Sequence, residues 1–434
     1  MTLQIGIARA DITPPVGIAM VGFAGRDVAR DVHDPLYATA LVVDDGDTRL
    51  VLISLDLLQL MAGTVDAYRA RIATITGIPP GRIILACTHN HYGPSVDRDE
   101  ADVVDSYREH LSHVLAGVAA RATDHLRPAR IGISWGLSDI GINRREWRDG
   151  VIVLGNNRDG PVDRQVGVAR IDTEDGQPLA TLVNFACHPV SQGGQMARIS
   201  ADFVGSGRSV LEQLTGAPCL YLQGACGDVN PIRMEDDYEP ARTLGVRLGC
   251  EATRLWERTL PDQASGVSTL TRSVDLPGYR YHSQERAAHL TAELESDIAE
   301  RTRQGDDGSG PLWWARQRLE RVQTALDSWS SGTALPPIAA QITATRIGPL
   351  ALVTAPGEIF AENGLLVKED SPFEHTFFLG YTNGSVGYVP TRSAYPDGGY
   401  EVTHACRVDP EAGELISATC GHLLSTISEG HQVG

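Results

Sequence analysis

RIILACTHNHYGP, residues 82–94, opens with a short apolar run and closes on two histidines and a turn. The run is rich in β-branched and aliphatic residues and too short for a helix, so it reads as a buried strand. Similar runs recur outward from it: RLVLISLDL at 49–57, LATLVNFACH at 179–188, PCLYLQGACGD at 218–228, ALVTAPGE at 351–358 and TFFLGYTNG at 376–384. Between several of them the apolar spacing becomes three and four. Val103, Tyr107, Leu111, Val114 and Val118 form one stripe, and Ala241, Leu244, Leu248, Ala252 and Leu255 another, as amphipathic helices require. Strands alternating with such helices predict an α/β fold, a mixed β-sheet core covered by helices, in a single domain spanning 1–434.

From about 281 to 330 the character changes to charged and helical, interrupted by QGDDGSGP at 304–311. Leu312, Ala315, Leu319, Val322, Leu326 and Trp329 repeat with coiled-coil-like spacing, so the segment is expected to be a helical hairpin inserted into the sheet domain. A lid, a dimer surface and a packed peripheral hairpin are its open readings, the last being the default.

A chain of 434 residues with 42% hydrophobic and 21% charged residues is ordinary globular composition. Its formal charge of −18 excludes a basic surface of the kind that releases counterions from nucleic acid or anionic membrane. Cysteines 87, 187, 219, 226, 250, 406 and 420 are odd in number and lack CxxC spacing, which argues against a disulfide framework and a thiolate metal site. The start, MTLQIGIARADITPP, has no basic stretch followed by an apolar core, and no run approaches the roughly 20 apolar residues of a membrane helix. A cytoplasmic protein without membrane insertion is expected; a homo-oligomer is left open.

Polar residues gather where the apolar runs end: THNH at 88–91, NFACHP at 184–189, QGACGDVNP at 223–231, PGE at 356–358 and TNGSVGY at 382–388. In α/β sheets that edge is where ligand sites form. His89 and His91 are two apart, so on an extended backbone both project from one face, one able to bind a metal and the other to face substrate. Taken singly, a pair of hydrogen-bonded histidines would look the same, and His188 would read as a satisfied core residue. Glu358 differs, because a carboxylate ending an apolar strand is costly to bury without a cation beside it.

The ordered set ADITPP (10–15), VHDPLYATALVV (32–43), THNHYGP (88–94), INRR (142–145), NFACHPVS (184–191), ISADFVG (199–205), GACGDVNP (224–231), PGEIF (356–360) and TNGSVGYVPTRSAY (382–395) resembles the catalytic domain of neutral and alkaline non-lysosomal ceramidases. The resemblance implies a Zn²⁺ ion held by His89, His188, Glu358 and Tyr388. Tyr388 is the tyrosine kept before V-x-T, with Ser385 standing where the family often has a further tyrosine. Asp56 and Asp202 are candidates for orienting the ligands, and Arg144 either clamps substrate or makes a surface ion pair; His33 is similarly ambiguous.

Two departures matter. Asn230 stands where ceramidases resembling this chain carry serine, and asparagine is not a covalent nucleophile. Catalysis by metal-activated water survives that change, with Asn230 as an oxyanion donor worth roughly 3 kcal/mol. The sequence also stops soon after the motifs, without the family's C-terminal immunoglobulin-like domain, which moves the expectation from membrane lipids toward a small-molecule acyl substrate. The reading is therefore a zinc-dependent hydrolase of an N-acyl amide bond, with His91 protonating the leaving group. A zinc-dependent esterase, lactonase or deacetylase on the same site, or a non-catalytic zinc-containing binding protein, are the alternatives.

Overall fold

The computed structural model describes residues 2–24, 28–97, 102–305 and 310–432. The six apolar runs quoted above are strands, but they belong to two sheets. A nine-stranded sheet runs in the order Cys219–Gln223, Pro178–Phe185, Gln165–Thr173, Arg127–Leu137, Gln4–Asp11, Tyr37–Asp44, Arg49–Leu55, Ile83–Cys87, with the short strand Asp262–Gln263 off that path. Its outer pairs are parallel and its interior antiparallel. A four-stranded sheet runs Val267–Leu276, Ile338–Ile347, Leu350–Thr354, His375–Leu379, the last pair parallel.

The two sheets pack face to face between outer helices, giving four layers. Side chains alternate across a strand, and Arg49–Leu55 shows the result: Leu50 and Leu52 enter the core shared with Leu350, Leu352, Phe377 and Leu379 of the other sheet. Val51, Ile53 and Leu55 face the helical side. Continuous apolar strands need cover on both faces, and here the second cover is another sheet.

Helices Ala62–Thr76 and Asp102–Asp124 cover one half of the outer face of the large sheet, and Asp202–Thr215 and Glu239–Arg258 the other. The stripe expected on 241–255 is buried in full; of that on 103–118, Tyr107, Leu111 and Val118 are buried, while Val103 is 45% exposed and Val104 is buried in its place. Helix Ala412–Gln432 lies against the outer face of the small sheet, and helices Gln284–Arg303 and Gly310–Ser331 pair with each other and share its core cluster. Leu312, Ala315 and Val322 of the expected stripe are buried, while residues 306–309 of the linking QGDDGSGP lie outside the described residues.

The parallel pairs all end at one corner, where the sheets are tied together. Gly380 N donates to Gln223 O at 3.0 Å, Asn184 Nδ2 to Leu222 O and Phe378 O at 2.9 and 3.0 Å, and Leu85 N to Asn383 Oδ1 at 2.9 Å. Nearby, Asp56, fully buried, accepts from both ends of the Arg208 guanidinium at 3.1 and 2.7 Å and from Tyr37 N at 2.8 Å. Removing one partner leaves an uncompensated buried charge. Arg208→Met is expected to lower the unfolding free energy by about 3–5 kcal/mol, read from urea denaturation midpoints; a loss below about 1 kcal/mol would show that Asp56 needs no counter-charge.

Candidate metal centre

His89 and His91 follow the strand Ile83–Cys87, but not on an extended backbone: His89 has φ +64°. The same-face expectation is corrected here, since a left-handed turn rather than strand alternation aims the two rings. They nevertheless converge, with their Nε2 atoms 3.1 Å apart. His188, after Pro178–Phe185, joins them, and one ring nitrogen from each of the three lies within 4.8 Å of the others.

Each ring is aimed by a backbone carbonyl. His89 Nδ1 lies 3.0 Å from Leu58 O, His91 Nδ1 3.1 Å from Gly22 O, and His188 Nδ1 2.6 Å from Cys226 O and 3.2 Å from Val229 O. A carbonyl only accepts, so each Nδ1 carries the proton and each Nε2 is left as a lone pair. Tyr381 stacks on His89 at 3.9 Å between ring centroids. Gly22, at φ +105°, is required at its position: a Cβ there would meet His91 Nδ1 at 2.6 Å.

Glu358 Oε2 completes the cluster at 3.3 Å from His89 Nε2 and 3.2 Å from His188 Nε2. These lone-pair atoms face one another in a buried site, an arrangement that repels unless a cation lies between them. Tetrahedral bonds of about 2.0–2.1 Å give ligand separations of about 3.3 Å, so the donor set fits a metal ion. Burial pushes the Glu358 carboxyl up, while His89 and His188, when their rings carry a second proton, outweigh it and hold it well below the usual carboxylate range. Burial, then Arg144, presses His188 down to about 4, so its imidazole is neutral at ordinary pH.

Tyr388 is the register partner of Glu358 in the parallel pair Glu358–Ile359 with Tyr388–Val389. Arg144 links it to the rest: its guanidinium donates to Tyr388 Oη at 2.9 Å and Asn230 Oδ1 at 3.2 Å, and lies 3.4 Å from His188 Nε2. At 5% exposure Arg144 is no surface ion pair. Its counter-charge is Glu401, fully buried, which accepts from Arg144 Nε and Arg145 Nη1 at 2.7 Å each.

Asp56 and Asp202 do not touch the imidazoles. Asp56 is taken by Arg208 and Tyr37 N, and Asp202 by Ser191 and Phe203 N. His33 sits elsewhere, exposed and packed on Tyr238. The residues missed from the sequence are Glu401, Tyr381 and Asp228. Asp228 accepts from Asn143 Nδ2 at 2.9 Å and Ala361 N at 2.8 Å, fastening the INRR strand to the segment behind Glu358. It lay inside the quoted GACGDVNP motif, whereas Glu401 sits in a π-helical turn, Glu401–Ala405, that no periodicity announces.

His91, Arg144, Asn230 and Tyr388 line a cavity of about 800 Å³, and Leu294, Trp314 and Arg318 of the helical hairpin form its far wall. His89 and His188 lie behind that lining, at 1% and 0% exposure against 9% for His91.

Two sheets meet over a buried imidazole–carboxylate cluster beside a cavity. Residues 3–218 match the family described as neutral/alkaline non-lysosomal ceramidase, N-terminal, and the chain belongs to that family, a family of amide-bond hydrolases. It is similar to the neutral ceramidase of Mycobacterium tuberculosis (strain ATCC 25618 / H37Rv), at 24% identity over 92% of this chain and 73% of that protein. Neutral ceramidase B of Dictyostelium discoideum is 25% identical over 52% of this chain and 35% of its own length. In fold the chain resembles the crystal structure of neutral ceramidase from Pseudomonas aeruginosa, with TM-score 0.74 at 20% identity over 99% of this chain and 75% of that one. A ceramidase complexed with C2 gives TM-score 0.76 at 19% identity over 99% and 76%.

The depressed His188 pKa has a measurable consequence in the chelated protein. The unfolded chain binds a proton at this imidazole near pH 6.5 and the folded one near 4, so between those values unfolding takes up a proton and stability climbs with pH by at most about 1.4 kcal/mol per unit. The contribution is complete above 6.5 and lost as pH falls toward 4. Denaturant midpoints measured across that window are expected to lose this slope in His188→Gln; an identical slope in the variant refutes the burial of a neutral His188.

Proposed function

We propose that this chain is a zinc-dependent amide hydrolase in which His89, His188, Glu358 and Tyr388 hold Zn²⁺ and His91 delivers a proton to the leaving amine. The observation that carries the reading is a chain of close contacts, His91 Nε2 to His89 Nε2 at 3.1 Å and Glu358 Oε2 to His89 Nε2 and His188 Nε2 at 3.3 and 3.2 Å, with every Nδ1 pinned to a carbonyl. Nitrogen and oxygen donors without a thiolate suit Zn²⁺. When bound, Zn²⁺ supplies Lewis acidity and brings the pKa of water down to about 7.

The remaining work falls to the chain. His91 is the one imidazole of the cluster that lines the cavity, and with Nδ1 held by Gly22 O its Nε2 is the atom that takes up a proton and gives it to the leaving nitrogen. Asn230 Oδ1 accepts from Arg144, which leaves the Asn230 amide nitrogen, without a partner among the described residues, as donor to the carbonyl oxygen of the substrate as it gains charge. Arg144, anchored by Glu401, keeps Asn230 and Tyr388 at fixed separation. With asparagine in that place, no acyl-enzyme forms on residue 230. The relatives are named for ceramide cleavage, and the cavity carries an apolar lining that includes Val190, Ile232, Met234, Leu294 and Trp314, which suits an N-acyl amide with an extended hydrocarbon portion.

Elemental analysis with a hydrolysis assay tests the assignment. Glu358→Gln is expected to lose both zinc and activity, because it removes the anionic carboxylate of the set. His91→Gln is expected to retain zinc while kcat falls about 10²–10⁴-fold; loss of zinc in this variant would make His91 a ligand instead. Asn230→Ala is expected to retain zinc and lose about 10²-fold in kcat. An acyl adduct found on any side chain during turnover refutes hydrolysis by water.

A further inference from the structure

One arginine on the hairpin side of the cavity makes no ion pair among the described residues. Four arginines line the cavity: Arg144, Arg233, Arg301 and Arg318. Three bring their own counter-ions: Arg144 has Glu401 at 2.7 Å, Arg233 has Glu235 at 2.6 Å and Arg301 has Asp297 at 2.8 Å. Arg318 is half-buried on the helix Gly310–Ser331. Among the described residues it makes no ion pair, and its Nε is buried without a hydrogen-bond partner.

The groups around Arg318 deepen the imbalance. Arg321 and Arg286 add positive charge, Tyr281 is a neutral phenol, and Glu293, whose charge reaches Arg318, is paired with His289 at 3.1 Å. Arg321 is itself fixed by donating to His404 O at 2.7 Å. The carboxylates on this wall are engaged elsewhere, Asp297 by Arg301 and Glu293 by His289, so in a chain of net charge −18 Arg318, Arg321 and Arg286 form a local cationic cluster. A guanidinium held out of bulk water with an unmet donor is costly until an acceptor arrives, and a planar carboxylate meets its fork geometry with two parallel hydrogen bonds. Leu294, Trp314 and Ala315 beside it are apolar.

We infer that Arg318 is the docking point for an anionic group on the substrate: the amide cleaved at the His91–Arg144–Tyr388 end of the cavity carries a carboxylate, or an anion of like charge, at the end of an apolar stem. This inference rests on the proposed amide hydrolysis and narrows its substrate class. Arg318 acts in selection, away from the reacting atoms.

The test uses the zinc-loaded full chain and two matched substrate pairs. One pair consists of amides of dodecanedioic acid, with the far terminus either a free carboxylate or a primary carboxamide. The other consists of dodecanoyl amides of an ω-amino acid, again with free carboxylate or carboxamide, which places the anion on the amine side. In at least one pair the carboxylate is expected to be preferred by about tenfold or more in kcat/KM, as a charge-assisted contact provides. Arg318→Gln is expected to bring that ratio to near one, and Arg318→Lys to keep part of it. A ratio near or below one for both pairs in the wild-type protein overturns the inference. So does a ratio that Arg318→Gln leaves in place, which is how a merely structural arginine behaves. If no amide is cleaved, the hydrolase reading falls by itself, and calorimetric titration of the same compounds decides the anion site. Tighter carboxylate binding that Arg318→Gln abolishes sustains it, and equal binding of carboxylate and carboxamide overturns it.

Discussion

Lone pairs pointed at lone pairs are the constraint around which this structure is arranged. Three imidazole Nε2 atoms and a carboxylate oxygen converge in a buried corner, and the carbonyls of Leu58, Gly22, Cys226 and Val229 hold the rings in that orientation by taking the proton on the opposite nitrogen. Left to itself, either histidine would turn or protonate to make a hydrogen bond with Glu358. Burial works against protonation at His188, and the carbonyls work against rotation. What remains is a cluster of acceptors that could hold a metal ion.

Holding such a convergence requires rigid backbone on every side, and the four-layer architecture provides it. The cluster sits where the parallel strand pairs of both sheets end, and those ends are cross-tied by Gly380 to Gln223, by Asn184 to Leu222 and Phe378, and by Asn383 to Leu85. His89 and His188 come from the large sheet, Glu358 and Tyr388 from segments that follow strands of the small one. A single sheet would deliver these side chains in a row along one edge; two sheets meeting at a corner bring them from opposite sides. The helical hairpin then supplies the far wall of the cavity.

Much of this was legible in the sequence, and the illegible part has a common cause. Apolar runs ending in His89, His188 and Glu358 announce buried strand ends that bear polar side chains, because burial and polarity are properties of side-chain type. The stripe on 241–255 was readable for the same reason. The partners of the imidazole Nδ1 atoms were not, since a backbone carbonyl has no letter of its own. The left-handed conformation of His89 was hidden because histidine gives no warning of it in the way glycine does. Continuous burial of 49–55 showed that both faces are covered but could not say that one cover is a sheet. Glu401 stands in a π-turn without periodicity, so only the folded chain reveals it as the counter-charge of Arg144 and Arg145.

That counter-charge bears on why an ion network persists in the interior at all. A buried arginine–carboxylate group is weak support for stability, because apolar residues of similar volume serve as well or better. Arg144 does something an apolar side chain does not. Its one planar guanidinium touches Glu401, Tyr388 and Asn230 and lies against His188, so the metal side and the substrate side of the site share a single rigid body. Glu401 in turn sits between Arg144 and Arg145, and Arg145 donates to the carbonyl of Gly398 at 2.8 Å, just ahead of the π-turn. The turn, the guanidinium and the tyrosine therefore move together or not at all. Positional precision of this kind, rather than a gain in folding free energy, is what the network contributes, and it is the property on which stabilising charge at a substrate carbonyl depends.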